Sequence, residues 1–200
     1  MFPRDFDPVE RVDDATVTRL LEAAMWAPFH GPVPPWRFVV LARDDGGGID
    51  ELLARTVAFY DRTWPEHWAS EREYAAFREK KLDRERWSAV SFMIAIVARR
   101  QAGSKRMAEW EEHAATACAV QNMQIQATAE RDVACYWSSW HKEFRDSDDM
   151  AAFLRLDKED RCFGVLVVAK LASAAPRKDL RTRTMAEHVE WFRSSRGQQQ

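Results

Sequence analysis

Few residue patterns in this sequence could carry chemistry, and the first is an acidic cluster beside a histidine. Glu109, Glu111, Glu112 and His113 lie close together, as metal ligands often do. The Glu-x-x-His spacing of di-iron helix bundles is missing, however, because Trp110 stands three residues before His113. We therefore expect the solvated start of a helix, where acidic side chains meet the positive end of the helix dipole.

The cysteines and the other histidines do not suggest a metal centre or a disulfide framework. The three cysteines are odd in number and far apart, so we expect small buried side chains. The five histidines show neither the HxxH nor the HExxH spacing. These residues are Cys118, Cys135, Cys162, His30, His67, His113, His141 and His188. We predict no metal site.

One histidine lies in an unusual setting, in the stretch AAMWAPFHGPVPPWRFVVL at residues 23–41. Proline restricts its own φ and disfavours helix in the residue before it, so a helix that reaches Trp26 should stop at Ala27-Pro28. The path onward to Pro35 should be extended and stiff. A rigid open segment that carries His30 can form a wall for a neighbouring subunit or for a flat ligand.

Several motifs of nucleotide and hydrolase sites are absent. The sequence contains no GxGxxG, no GxxxxGK[ST] and no GxSxG. The glycines at positions 46–48 follow a predicted strand, but we expect a surface turn there rather than a phosphate-binding helix start. The basic residues Arg99 and Arg100 are expected to mark a strand that leaves the core for solvent.

Composition narrows the class of protein. The chain has 200 residues and a formal net charge of -2, which gives no positive surface for nucleic acid. Its apolar runs are far shorter than the roughly 20 residues of a membrane helix. The first residues lack the apolar core of a signal peptide. The sequence therefore predicts a soluble, cytoplasmic protein with no nucleic-acid and no membrane partner.

Hydrophobic periodicity predicts helices that alternate with a few apolar strands. Helices are expected from residue 13 or 14 to 26, over 49–87 with one break at Trp64-Pro65, over 109–129, from 147 or 148 to 156, and over 184–192. Strands are expected over 36–41, 89–98, 134–137 and 162–171. We predict a single α+β domain over residues 1–192 and a disordered tail over 193–200.

Five short stretches carry a resemblance to a known family. They are FPRDF (2–6), WAPFHG (26–31), PWRF (35–38), AVQNM (119–123) and YWSS (136–139). Their types and order resemble the nitroreductase superfamily, and the resemblance covers residues 2 to 192. It implies an α+β fold with a central mixed or antiparallel sheet flanked by helices. It also implies a homodimer that uses FMN and NAD(P)H, and nine tryptophans suit a chain with a large apolar contact surface.

The resemblance also implies a cofactor site. In the family the loop that matches Trp137, Ser138 and Ser139 lies against the flavin ring, with backbone donors near the ring edge. His30 matches a residue that touches the cofactor, and Arg181 and Arg183 match residues that bind the phosphate, which suits the arginine fork. Two alternatives remain from the residues alone. The arginines could form a solvated basic turn, and His30 could satisfy a loop carbonyl.

The sequence departs from the family pattern at several points. Family members carry an Arg-Arg-Ser segment before the FPRDF stretch, whereas this sequence begins at Met1-Phe2. Either the true start lies upstream, or the chain holds FMN roughly a hundredfold to ten-thousandfold more weakly. Arg131-Asp132 replaces a glycine, so a non-glycine residue is expected at positive φ, at a cost of about 1 kcal/mol.

The resemblance implies an FMN-dependent oxidoreductase that transfers hydride from NAD(P)H through flavin N5 to a small organic acceptor, nitroaromatic or quinone-like. No side chain is assigned as acid or base, because positioning and electrostatics are the protein's part. The alternative is a degenerate dimer of the same fold that binds flavin weakly or not at all and acts through interactions. A specialised flavin reaction, such as reductive dehalogenation or flavin fragmentation, is a third possibility.

Overall fold

The computed structural model describes residues 5–43, 47–103, 106–172 and 185–192, with only the backbone of Ala186. Four segments are strands that pair in one antiparallel sheet of order β1-β2-β4-β3. They are β1 (Trp36–Ala42), β2 (Val90–Ala98), β3 (Val133–Ser138) and β4 (Arg161–Lys170). Every residue of the central strand β2 is buried, because both faces of the sheet are covered.

The two faces of the sheet support separate apolar cores. Alternate residues of a strand point to opposite faces, and β2 follows this rule. Met93 and Val97 belong to one core, whereas Ile94 and Ile96 belong to the other. Helices on both faces of an antiparallel sheet make this an α+β fold, as the sequence predicts.

Two helices cover the second of these cores. They are α1 (Asp14–Ala24) and α4 (Glu109–Ala129). The helix α1 begins at Asp13, whose carboxylate accepts a hydrogen bond from the Thr16 backbone N–H at 2.8 Å, a typical N-cap. Leu20 of α1 and Met123 of α4 are fully buried in this core.

The other face is covered by four helices and two 3₁₀ turns. The helices are α2 (Gly48–Thr63), α3 (Glu71–Leu82), α5 (Lys142–Arg145) and α6 (Asp148–Leu154). The turns are Trp64–Glu66 and Glu85–Trp87. Ser70 and Ser147 cap α3 and α6 with their hydroxyl groups. This core contains Tyr60 and Phe144, both almost fully buried.

Most predicted elements are confirmed, and the helix predicted over 109–129 is confirmed at both ends. The prediction of helix over 49–87 with a single break at Trp64-Pro65 is wrong, because the helix ends a second time at Leu82, where Asp83 is extended before the 3₁₀ turn Glu85–Trp87. The helix over 184–192 is wrong too, since residues 185–192 contain only the 3₁₀ turn Met185–Glu187. Gly47 and Gly48 open α2, so the expectation of a surface turn without a helix is wrong as well.

Backbone angles confirm the departure from the family pattern after α4. Asp132 has a φ of 54°, a left-handed conformation that glycine adopts more easily. The helices in the described ranges include none that is long and apolar enough to cross a membrane. The single domain over 1–192 stays a prediction, and the tail at 193–200 lies outside the described residues.

Candidate functional site

The segment between α1 and β1 forms an exposed loop around His30. Phe29 packs edge-on against Trp36 at a ring-centroid distance of 5.3 Å, which ties the loop to the start of β1. The His30 side chain is 76% exposed, and its Nδ1 atom lies 3.0 Å from the Glu111 carboxylate at the start of α4. The imidazole therefore contacts a carboxylate and not a loop carbonyl.

A glutamine side chain fixes the backbone of the His30 loop. Gln101 donates a hydrogen bond from Nε2 to the His30 carbonyl at 2.9 Å. Gly31 has a φ of 101°, and a Cβ there would lie 2.3 Å from Gln101 Oε1. Only glycine permits this combination of left-handed backbone and close approach without strain. The loop path thus depends on Gln101.

A buried ion pair supports Gln101. Glu112 is 1% exposed and pairs with Arg100, whose side chain is 9% exposed. The same carboxylate accepts a hydrogen bond from the Gln101 backbone N–H at 3.1 Å, and Asp160 accepts one from the Arg100 N–H at 3.4 Å. The predictions that Arg100 leaves for solvent and that Glu112 belongs to a solvated helix start are wrong, because the start of α4 packs on the end of β2.

The second predicted loop follows the end of β3. Ser138 is the last residue of β3 in register with β4, opposite Val165, so the backbone leaves the ladder at Ser139. Trp137 is 36% exposed, and its Nε1 atom donates to the Phe163 carbonyl at 2.7 Å. The arrangement offers a flat aromatic surface beside backbone groups that have just left the sheet, which suits a planar heteroaromatic ligand.

Two residues that sequence reasoning missed determine the path of this loop. Trp140 has a φ of 58°, and its indole is buried with Nε1 donating to Thr56 Oγ1 at 3.2 Å. Gly164 has a φ of 99°, and a Cβ there would lie 2.1 Å from the Ser138 carbonyl oxygen. An isolated glycine inside a strand pattern is the one signal that could have indicated this close approach.

His141 follows Trp140 and is enclosed by aromatic rings. Its centroid lies 5.0 Å from that of Trp140 and 5.2 Å from that of Phe77. Burial lowers the pKa of His141 to about 4, and the positive charge of Lys81 adds to the effect. The imidazole is therefore neutral near pH 7 and packs as an aromatic side chain.

The start of α4 connects the two predicted loops. Glu111 contacts His30, and two residues later His113 contacts Phe163 with ring centroids 4.8 Å apart. Phe163 in turn stacks on Trp137 at 6.5 Å. The structure thus brings the His30 loop and the Trp137, Ser138 and Ser139 loop to the same helix end.

The predicted phosphate-binding residues Arg181 and Arg183 lie outside the described residues. The described chain that precedes them ends at Ala172, just after β4. There, Leu171 pairs with Phe6 of the N-terminal FPRDF stretch, and the Ala172 N–H donates to the Asp5 carbonyl at 3.1 Å. The described residues include no group of three or more His, Cys, Asp or Glu side chains that could hold a metal ion.

Solved structures of similar shape come from several bacteria. A nitroreductase-like family protein from Bacillus cereus has a TM-score of 0.72 and 23% identity, covering 96% of this chain and 90% of its own. A nitroreductase with bound FMN from Bacteroides fragilis has a TM-score of 0.66 and 18% identity, covering 95% and 92%. At these identities, the likeness shows a common fold.

An FMN-dependent nitroreductase from Mycobacterium smegmatis, solved in complex with NADPH, has a TM-score of 0.60 and 15% identity. The alignment covers 95% of this chain and 93% of that one. No curated protein sequence matches significantly. The model of the nitroreductase family matches residues 3–170, which include both loops and all four strands. This chain therefore belongs to the nitroreductase family.

Proposed function

We propose that this chain is an FMN-dependent oxidoreductase that passes hydride equivalents from NAD(P)H to a small organic acceptor, nitroaromatic or quinone-like. The observation that carries the proposal is that both predicted loops connect to the start of α4, one through Glu111 and the other through Phe163 on His113, in a chain of the nitroreductase family. The FMN in the Bacteroides fragilis relative and the NADPH in the Mycobacterium smegmatis relative support it.

The residues of the two loops suit a flavin. Trp137 offers an exposed aromatic surface, and the backbone of Ser138 and Ser139 can present donors to the edge of a ring. His30 is exposed and can reach a ligand from the other loop. Arg181 and Arg183 would bind the phosphate, since guanidinium groups recognise phosphate with two parallel hydrogen bonds.

Bound FMN supplies two-electron chemistry at its N5 atom. The chain's own residues bind the ring, orient it and exclude water from one side. The carboxylate of Glu111 orients the His30 imidazole. The Trp140 backbone N–H donates to the Ser138 hydroxyl at 3.1 Å, and the buried Trp140 indole donates to Thr56, which anchors the residue that follows Ser139. No described side chain needs to act as an acid or base for this role.

A homodimer is part of the proposal. One side of α4 carries six residues, most of them small, that are exposed or half-exposed and leave room for a second backbone to approach closely. They are Ala114, Ala117, Cys118, Gln121, Ile125 and Thr128. Trp26 beside this helix is 86% exposed. A second copy that covers this surface would remove the apolar groups from water. We also infer a cytoplasmic location.

The test is reconstitution with FMN. The purified protein is incubated with FMN, desalted, and examined by absorbance and by its molar mass in solution. We expect a yellow dimer whose flavin band bleaches with NADPH or NADH under anaerobic conditions. A colourless dimer that FMN cannot reconstitute would contradict the proposal and favour the degenerate, interaction-only alternative.

A matched pair of variants tests the phosphate site. The double substitution R181A/R183A should raise the Kd for FMN by roughly a hundredfold to ten-thousandfold, because each charge-assisted contact contributes about 1.5–3 kcal/mol. The control R177A/K178A removes the same charge nearby and should change the Kd little. Equal effects of the two pairs would indicate general electrostatics instead of a phosphate site.

A further inference from the structure

A groove of about 250 Å³ lies beside Trp137. Its lining residues come from the end of β3, the end of α5 and the start of β4. They are Trp137, Arg145, Asp146, Arg161, Cys162 and Phe163. Pockets for drug-sized ligands occupy about 300–1,000 Å³. The groove therefore matches a compound with a single ring better than a larger one.

The floor of the groove is aromatic. Trp137 and Phe163 stack with an interplanar angle of 25° and a centroid distance of 6.5 Å. The Trp137 indole is fixed by its hydrogen bond to the Phe163 carbonyl. The Phe163 ring is held by an edge-on contact with the His113 ring. Two aromatic faces held in this way favour a flat, aromatic ligand.

The groove has one positive charge in excess. Arg145 and Asp146 compensate each other through two hydrogen bonds of 2.7 and 2.9 Å. The hydrogen bond from Arg145 lowers the pKa of Asp146, so this carboxylate is ionised and already paired. Arg161 is the remaining cation. Its charge also favours the ionised form of Asp146, but Arg161 forms no salt bridge with any residue in the described ranges.

The Arg161 guanidinium has hydrogen-bond donors that no described residue uses. Its Nη1 atom donates to the carbonyls of Asp160 and Lys158 at 2.9 and 3.4 Å, which anchors the guanidinium at the rim. The Nε and Nη2 atoms have no hydrogen-bond partner among the described residues. Such a fork matches a carboxylate, which accepts two parallel hydrogen bonds.

From this combination we propose that the groove is a specificity subsite for single-ring aromatic carboxylates, with the ring on Trp137 and Phe163 and the carboxylate on Arg161. The proposal deepens the proposed function and rests on it, because Trp137 also belongs to the loop assigned to the cofactor. Among possible acceptors, the subsite would select those that carry an acid group on the ring.

The test compares two ligands that differ only in charge, 4-nitrobenzoate and 4-nitrobenzamide. Binding is measured by quenching of tryptophan fluorescence, with and without FMN. We expect the carboxylate to bind about tenfold more tightly than the amide, the range of one charged hydrogen-bond contact. Arg161→Gln should abolish this preference, whereas Lys158→Gln, which removes a neighbouring charge outside the groove, should preserve it. In the FMN-loaded enzyme, Arg161→Gln should raise KM for 4-nitrobenzoate about tenfold and leave kcat unchanged.

Three results would overturn the subsite. The wild type could bind both ligands equally, Arg161→Gln could retain the preference, or Lys158→Gln could abolish it as fully as Arg161→Gln does. Failure of the proposed function gives a different result. If the protein never binds FMN but still prefers the carboxylate in a way that depends on Arg161, the anion-binding groove is supported and the proposed enzymatic function is contradicted.

Discussion

The two loops that connect to the start of α4 differ in the contacts that hold them. The His30 loop is held by polar groups, because its carbonyl bonds to Gln101 and its imidazole to Glu111. The Ser138 and Ser139 loop receives one polar contact, from Arg145 Nη1 to the Ser139 carbonyl at 3.3 Å, but its path is set mainly by the buried indole of Trp140 and by the close approach of Gly164. Polar contacts can yield when a side chain moves, whereas backbone contacts cannot. The first loop should therefore be the adjustable wall of the site and the second the rigid one.

Loss of the ion pair under the His30 loop should have the largest effect on stability. Glu112→Ala leaves Arg100 buried without its partner, and breaking such pairs from one side costs about 3–5 kcal/mol. Urea unfolding measures the loss. Glu109→Ala on the exposed side of the same helix start should change stability by less than about 0.5 kcal/mol. Similar effects of the two substitutions would show that the buried pair is not what supports the loop.

Acid should act on the other loop through His141. Its pKa is lower in the folded protein than in the unfolded chain, so the unfolded state binds the proton more readily. Stability is therefore complete above about pH 6.5 and falls as the pH drops toward 4, by about 3 kcal/mol from this group. Urea unfolding between pH 4 and 7 tests the slope, which His141→Gln should flatten. If the pH dependence of stability is unchanged in His141→Gln, a group other than His141 causes the loss of stability in acid.

The two glycines with positive φ give the most direct comparison of the loops. Gly164→Ala places a Cβ against the Ser138 backbone, so we expect a loss of about 2–3 kcal/mol. Gly31→Ala meets only the end of the Gln101 side chain, which can rotate away, so the loss should be nearer 1 kcal/mol. Thermal or urea unfolding of both variants measures the two losses of stability. A larger loss for Gly31→Ala than for Gly164→Ala would contradict the comparison.

A smaller effect than that of Gly164→Ala is expected at the hydrogen bond that orients Trp140. Thr56→Val keeps the shape of the side chain but leaves the buried indole N–H without its acceptor, at a cost of about 1–2 kcal/mol. The indole should remain packed, because its apolar contacts are unchanged. Near-UV circular dichroism and urea unfolding measure the two effects. No loss of stability would mean that packing alone fixes Trp140.

The fold could be predicted where local pattern decides it. The helix over 109–129 is rich in residues that favour helix, and β2 is apolar at every position except Ser91. The burial of Glu112 could not be read in this way, because its partner Arg100 comes from a strand end and faces it only after the chain turns back. An acidic residue at a helix start is normally solvated, so the usual rule gave the wrong answer here.

The candidate site was predicted from resemblance more than from physical pattern. The motifs identified His30, Trp137, Ser138 and Ser139, and the structure brings their loops to one helix end. The residues that shape the second loop were missed, because a left-handed tryptophan has no sequence signature. The roles of these residues toward FMN stay predictions.

The account is tested most directly by a crystal structure of the protein loaded with FMN. It predicts that the flavin ring lies against the backbone of Ser138 and Ser139. His30, from either subunit of the proposed dimer, should contact the same FMN. The phosphate should meet Arg181 and Arg183. An FMN bound away from both loops, or a protein that takes up none at millimolar concentration, would contradict it.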